Sequence, residues 1–203
     1  MSSPRHYFTL AEYFAVENVR DARYEFWDGE IVCMSGGSPE HGILGSRMHY
    51  RLAAHVEMRQ GDCIAFTGDQ AIETPQLPPY RYPDASVVCD EPIYRDHRGT
   101  SALVNPRVIV EVLSPRTEAM DLNDKRDAYQ AIASLREYVV VAQDAPKVMI
   151  WRRVSEDRWE LETLEGLDQT LRISSIDFEL PLTDLYRSVR FPPSLRIVPP
   201  QSV

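Results

Sequence analysis

Apolar positions along this chain follow two distinct periods. Residues 108–113 form a run of apolar, mostly β-branched side chains, which reads as a buried strand. One carboxylate, Glu111, interrupts it. Residues 136–142 read as a second strand, and residues 147–151 return after a turn at 144–146 as its hairpin partner. Residues 159–164 alternate apolar and polar, the pattern of a half-exposed antiparallel strand. The other period is helical. Leu44, Met48, Leu52 and Val56 recur every fourth residue and predict an amphipathic helix with one apolar stripe.

Local signals mark where these elements begin and end. Thr9 and Glu12 match a capping box that opens a short helix running to about Val19. Ser38, Pro39 and Glu40 open the longer helix with an N-cap, a proline and a first-turn acid, and Gly61 stops it. Asp28-Gly29 between residues 24–27 and 30–34 predicts a tight hairpin, followed by a flexible loop at 35–38. Residues 63–66 and 70–73 read as one or two strands and 81–88 as another, with a proline-rich loop between. Residues 91–105 are polar and irregular and suit an exposed loop. A helix is expected over 121–133, and residues 178–186 close the fold. These elements predict a single α/β domain over residues 1–190, with a proline-rich, extended tail at 191–203.

Composition narrows the class. With 203 residues, 43% hydrophobic and 26% charged, the chain can bury a real core. No apolar run spans a bilayer and the first residues lack a signal-peptide core, so a cytoplasmic protein with no membrane partner is expected. Cys33, Cys63 and Cys89 are scattered, which argues against a disulfide framework or a structural zinc site and for small buried side chains. The net charge of −9 argues against an indiscriminate nucleic-acid coat, though not against an enzyme with one local basic groove. Arg47, Arg51, His55 and Arg59 form such a strip beside the apolar stripe. Its bland reading is a solvated face; its functional reading is an edge that tracks phosphates.

The candidate chemistry centres on Glu111. A buried carboxylate needs a proton, a cation or a metal. Asp84 opens the strand upstream, and Asp121 and Lys125 stand four residues apart on the helix downstream. Two carboxylates on neighbouring strands with a lysine on the next helix suit a hard divalent cation and an activated water. The structural alternatives are a buried acid paired with a base for Glu111, a turn cap for Asp84 and a solvated helix residue for Lys125. Asp121 reads as a helix N-terminal acid and Tyr129 as a packing residue that holds the lysine.

The order of short motifs then points to a family. Tyr24-Glu25, Asp28-Gly29-Glu30, Ser38-Pro39-Glu40-His41, Pro83-Asp84, Glu111 through Ser114-Pro115, then Asp121, Lys125 and Tyr129, and finally Glu137-Tyr138 together resemble the Uma2 family. That family lies within the PD-(D/E)XK nuclease superfamily, and the likeness runs from about Thr9 to Tyr186. It implies a restriction endonuclease-like core, a mixed sheet flanked by helices with additional antiparallel hairpins. It also implies hydrolysis of phosphodiester bonds in DNA with Mg (or Mn). Asp84, Glu111 and the carbonyl of Val112 would hold the metal, and Lys125 would assist the attacking water. Glu40, or else Glu30, would supply a further acid. His41, Arg47 and Arg51 would contact substrate, and a homodimer would cut both strands. The chain departs from the parent pattern at Leu113, where the superfamily often has lysine, and at Ser134-Leu135 and Val139. The alternative is a non-catalytic nucleic-acid-binding or scaffold protein of the same fold; a hydrolase of smaller phosphate esters ranks below both.

Overall fold

A computed structural model describes residues 7–17, 23–27, 29–34, 37–59, 61–115 and 117–191. Helix α1 (Leu10–Glu17) is followed by the antiparallel hairpin of β1 (Tyr24–Trp27) and β2 (Glu30–Cys33). Glu12 and Thr9 cap α1 reciprocally. The helix end expected at Val19, the turn residue Asp28, the loop residues Ser35 and Gly36, and the tail at 192–203 lie outside the described residues.

Helix α2 (Pro39–Met58) begins at the N-cap Ser38, whose hydroxyl accepts from the His41 N–H at 3.1 Å. Strands β3 (Cys63–Thr67), β4 (Ile72–Glu73), β5 (Tyr80–Arg81) and β6 (Ala85–Cys89) come next. The segment expected to be an irregular loop at 91–105 contains a hairpin instead, β7 (Tyr94–His97) and β8 (Thr100–Leu103). Its turn places Arg98 and Gly99 at positive φ. Polar side chains on an exposed strand erase the alternation that would have announced it.

Strand β9 (Val108–Val112) leads into α3 (Glu118–Leu122) and α4 (Asp124–Gln130), two short helices where one was expected. Strands β10 (Glu137–Val141), β11 (Lys147–Ser155), β12 (Arg158–Glu165), β13 (Thr170–Ile173) and β14 (Phe178–Pro181) complete the sheets, and α5 (Leu182–Leu185) follows. The main sheet has six strands in the order β12-β11-β10-β9-β6-β3. Strands β9 and β10 run parallel and their other neighbours antiparallel, so the sheet is mixed. Every residue of β9 and β10 is buried, because helices and smaller sheets cover both faces. On one face, the α2 stripe packs with Val108, Val110 and Val112 against the C-terminal hairpin. On the other, Ile109 and Leu113 pack with Tyr129, Ile132 and Tyr138.

The reading of the cysteines is corrected here, and the contacts of the basic strip are placed. Cys63 and Cys89, read as isolated small side chains, form a disulfide between β3 and β6. The register puts them directly opposite one another, and that register could not be read from their 26-residue separation. Arg47 and Arg51, read as substrate contacts, are engaged within the fold. Arg47 donates to the carbonyls of Leu185 and Arg187, and Arg51 pairs with Asp184 at 2.9 Å. His55 meets the Ile176 carbonyl and Arg59 pairs with Asp177. The basic strip therefore clamps α2 to the C-terminal segment. Its helical spacing was plain in sequence; the acids and carbonyls that meet it lie more than a hundred residues away.

Candidate active site

The site is built where β9 ends. Ala85 stands opposite Val110, so one more step along the antiparallel register places Asp84 beside Glu111. Asp84 Oδ2 accepts the Val112 N–H at 2.6 Å, which pins the carboxylate to the end of the central strand. The chain then turns at Ser114, whose hydroxyl accepts the Thr117 N–H. Thr117 in turn donates to Asp121 Oδ2 at 2.7 Å. This turn folds α3 and α4 back over the sheet, and Tyr138 donates to the Asp121 carbonyl from below.

Lys125 is thereby delivered into the interior. Its Nζ lies 3.1 Å from Glu111 Oε1, 3.1 Å from Asp121 Oδ1 and 3.3 Å from Glu25 Oε2. All four side chains are nearly closed to solvent. Tyr129, one turn after the lysine, donates its hydroxyl to Glu111 Oε1 at 3.0 Å. The contacts described for Glu111 thus fall on one oxygen.

Glu25 arrives on the β1–β2 hairpin. Its carboxylate also accepts from Trp27 Nε1 and from the Tyr82 N–H, each at 3.0 Å. Sequence reasoning quoted Glu25 but assigned it no role, and looked to Glu40 or Glu30 for an upstream acid. Glu40 does not line the site: it sits one residue before His41 on α2, about 100° around the helix. Glu30 lies on an exposed strand position. The available signal for Glu25 was its period-two partnership with Trp27, which put an acid on a hairpin's buried face.

The electrostatics follow from one ammonium among three carboxylates. Burial works against the charge on Lys125, but Glu111, Glu25 and Asp121 outweigh it and hold its pKa well above the ordinary lysine value. The Glu111 carboxyl is also pushed up, by burial first, with Lys125 opposing and Asp121, Asp84 and Glu25 adding to the rise. Asp121 is raised by burial, against the pull of Lys125. A lysine and an acid that both shift upward look contradictory as a pair. They are consistent as a cluster, because one positive charge cannot neutralise three negative ones. We take the lysine to be firmly charged and Glu111 to be the acid whose ionisation is most costly.

Asp84, Glu111 and Lys125 share a cavity of about 280 Å³, together with His41, Ser38 and Gln143. His41 Nε2 is 3.5 Å from Asp84 Oδ2, and the hydrogen bond to Asp84 raises the imidazole's pKa against the effect of burial. Helix α2 approaches closely here: a Cβ on Gly45 would sit 3.9 Å from Asp84. Ser38 donates to Gln143 Oε1, tying the helix start to the end of β10. Sequence reasoning did not single out Gln143. Among the described residues no three acids, histidines or cysteines form a ready ligand shell. Asp84, Glu111 and Val112 line the cavity, so two carboxylates and a carbonyl are the oxygen atoms that could hold a metal there. Such a set suits magnesium, which usually takes one or two carboxylates and completes its octahedron with water and substrate oxygens.

The chain is similar to known proteins in sequence and in fold. The family model described as "Uma2: Putative restriction endonuclease" matches residues 10–183. Two uncharacterized proteins of Synechocystis are similar. One, slr1290, is 29% identical over 94% of this chain and 97% of its own length. The other, sll1609, is 31% identical over 82% of this chain and 92% of its own length. The fold resembles the crystal structure of "a putative nuclease belonging to DUF820" from Anabaena variabilis, with a TM-score of 0.63 and 18% identity. That match covers 80% of this chain and 89% of the other.

Proposed function

Because the chain belongs to the Uma2 family, we propose that it is a metal-dependent endonuclease acting on DNA, with its site where Asp84, Glu111 and Lys125 meet. The observation that carries this reading is their shared cavity, which joins residues from two strands and a helix. Asp84, Glu111 and the Val112 carbonyl are the residues that would hold Mg or Mn. A hard divalent cation, when bound there, would supply a water of lowered pKa and polarise a phosphoryl oxygen.

The chain's own residues supply the rest. Lys125, held charged by Glu25 and Asp121, sets a fixed positive charge against the Glu111 side of the cavity. That charge favours the extra negative charge that develops on a phosphate under attack. A lysine kept protonated in this way orients the nucleophilic water rather than removing its proton. His41 stands at the cavity wall within reach of Asp84 and offers a donor to a phosphate oxygen. The acidic surface limits non-specific DNA affinity, so the contacts are local. We also place the protein in the cytoplasm and expect two copies to act together, one on each strand.

One observation favours a second reading, a non-catalytic protein of the same fold. The lysine makes ion pairs with three buried carboxylates, which is also what a structural cluster looks like. Incubation of plasmid and single-stranded DNA with Mg or Mn separates the two. Cleavage by the parent and none by Glu111→Gln supports the enzyme. Magnesium binding that Glu111→Gln leaves intact supports the scaffold.

A further inference from the structure

The parallel strands β9 and β10 end side by side, and the candidate cavity lies beyond their carboxyl ends. Two residues past the paired positions Val112 and Val141 stand Ser114 and Gln143, and both line that cavity. In the sheet, β9 separates β10 from β6. Gln143 and Asp84 therefore flank the end of β9 from opposite sides, with two strand spacings, about 10 Å, between their backbones. We propose that Gln143 receives the phosphate next to the scissile one, an inference that rests on the nuclease reading and deepens it. The substrate is then a chain of consecutive phosphates rather than an isolated phosphate ester.

The amide is prepared for an acceptor. Gln143 is only 9% exposed. The Ser38 hydroxyl uses its oxygen for the His41 N–H and its proton for Gln143 Oε1. The Nε2 of Gln143 has no hydrogen-bond partner among the described residues, yet it is not sealed off from the cavity that the residue lines. A largely buried amine without an acceptor is costly, and an oxygen-bearing ligand relieves that cost. Two features point to a phosphate. Ser38 is the N-cap of α2, so the amide stands at the positive end of a 20-residue helix. The first turn of that helix runs from Ser38 at Gln143 to His41 at Asp84, so it borders both phosphate positions. A neutral amide and a helix N-terminus contact phosphates without adding charge, which suits a chain with a net charge of −9.

Calorimetric titration of the full chain with the thymidine dinucleotide TpT, which has a single phosphate, and the trinucleotide TpTpT, which has a flanking one, tests this. Calcium, a hard cation with the same preference for oxygen, replaces magnesium, and chromatography checks that the ligands stay intact. The parent should bind TpTpT about tenfold more tightly than TpT, the scale of a hydrogen bond to a charged group. Gln143→Met has similar length and no donor, and should bring TpTpT to within about twofold of TpT. Gln143→Glu still accepts from Ser38 but lacks the donors; it should lose the advantage too, and it carries the test if the Met variant does not fold. Equal binding of the two ligands by the parent, binding of neither, an advantage that survives in the folded variants, or equal weakening of both ligands would overturn the proposal. Cleavage is read separately. A parent that prefers TpTpT through Gln143 but cuts no DNA with Mg or Mn sinks only the nuclease reading, and a cutting parent without that preference sinks only this one.

Discussion

Lys125 Nζ stands 3.1 Å from Glu111 Oε1, across 14 residues that include a turn, helix α3 and the start of α4. The pair is buried, and two further carboxylates crowd the same ammonium. This relationship decides how the site should respond to mutation.

Removing the lysine leaves three carboxylates in the interior without their cation. Lys125→Met should therefore destabilise the protein at neutral pH by about 3–5 kcal/mol, measured by chemical denaturation. The pH dependence has a definite sign. Without Lys125 the Glu111 and Asp121 carboxyls rise still further above their unfolded values, so the stability is present when they are protonated. It should return below roughly pH 4–4.5 and be lost as pH rises through the raised values. A Lys125→Met protein as stable as the parent at pH 7 would mean that the cluster is not formed.

Glu111→Gln should behave differently. Two acids still face the lysine, so the fold survives with a smaller loss, visible as an unchanged circular dichroism spectrum. Magnesium binding should disappear in calorimetry. In the parent, Glu111's raised pKa makes protons compete with the metal, so affinity should climb as pH rises through that value. Binding that is flat with pH would remove Glu111 from the ligand set.

The clamp between α2 and the C-terminal segment gives a prediction opposite to that of a phosphate-tracking edge. Arg47→Ala with Arg51→Ala should lower stability by about 1–2 kcal/mol, a scale reduced by the partial exposure of these groups. The salt dependence of DNA binding should not change. A log–log slope shallower by about one unit per arginine would put them back on the DNA path.

The Cys63–Cys89 bridge closes a long loop between β3 and β6. Reduction should lower stability by about 3.5 kcal/mol by the loop-entropy estimate. A thiol reagent should label one cysteine, Cys33, in the unfolded oxidised protein and all three after reduction. Labelling of all three without reductant would show that the bridge does not form in solution.

Much of this molecule was legible from local signals. The α2 stripe, its Ser38 cap and the buried strands around residues 110 and 140 come from periods that the backbone imposes on neighbours in sequence. Motif order identified the family and its nuclease-like fold, because spacing along a chain survives without coordinates. It also named Asp84, Glu111 and Lys125, which the structure brings to one cavity. Pairings between distant segments were decided by tertiary structure alone. Glu25 reached Lys125 only because a hairpin folds over α4, and no period along the chain encodes that closure. Cys63 met Cys89 through a strand register, and Arg47 and Arg51 met a segment over 130 residues away. A side chain's periodicity tells which way it faces; its partner depends on which element packs there, and that choice is made by the whole chain at once.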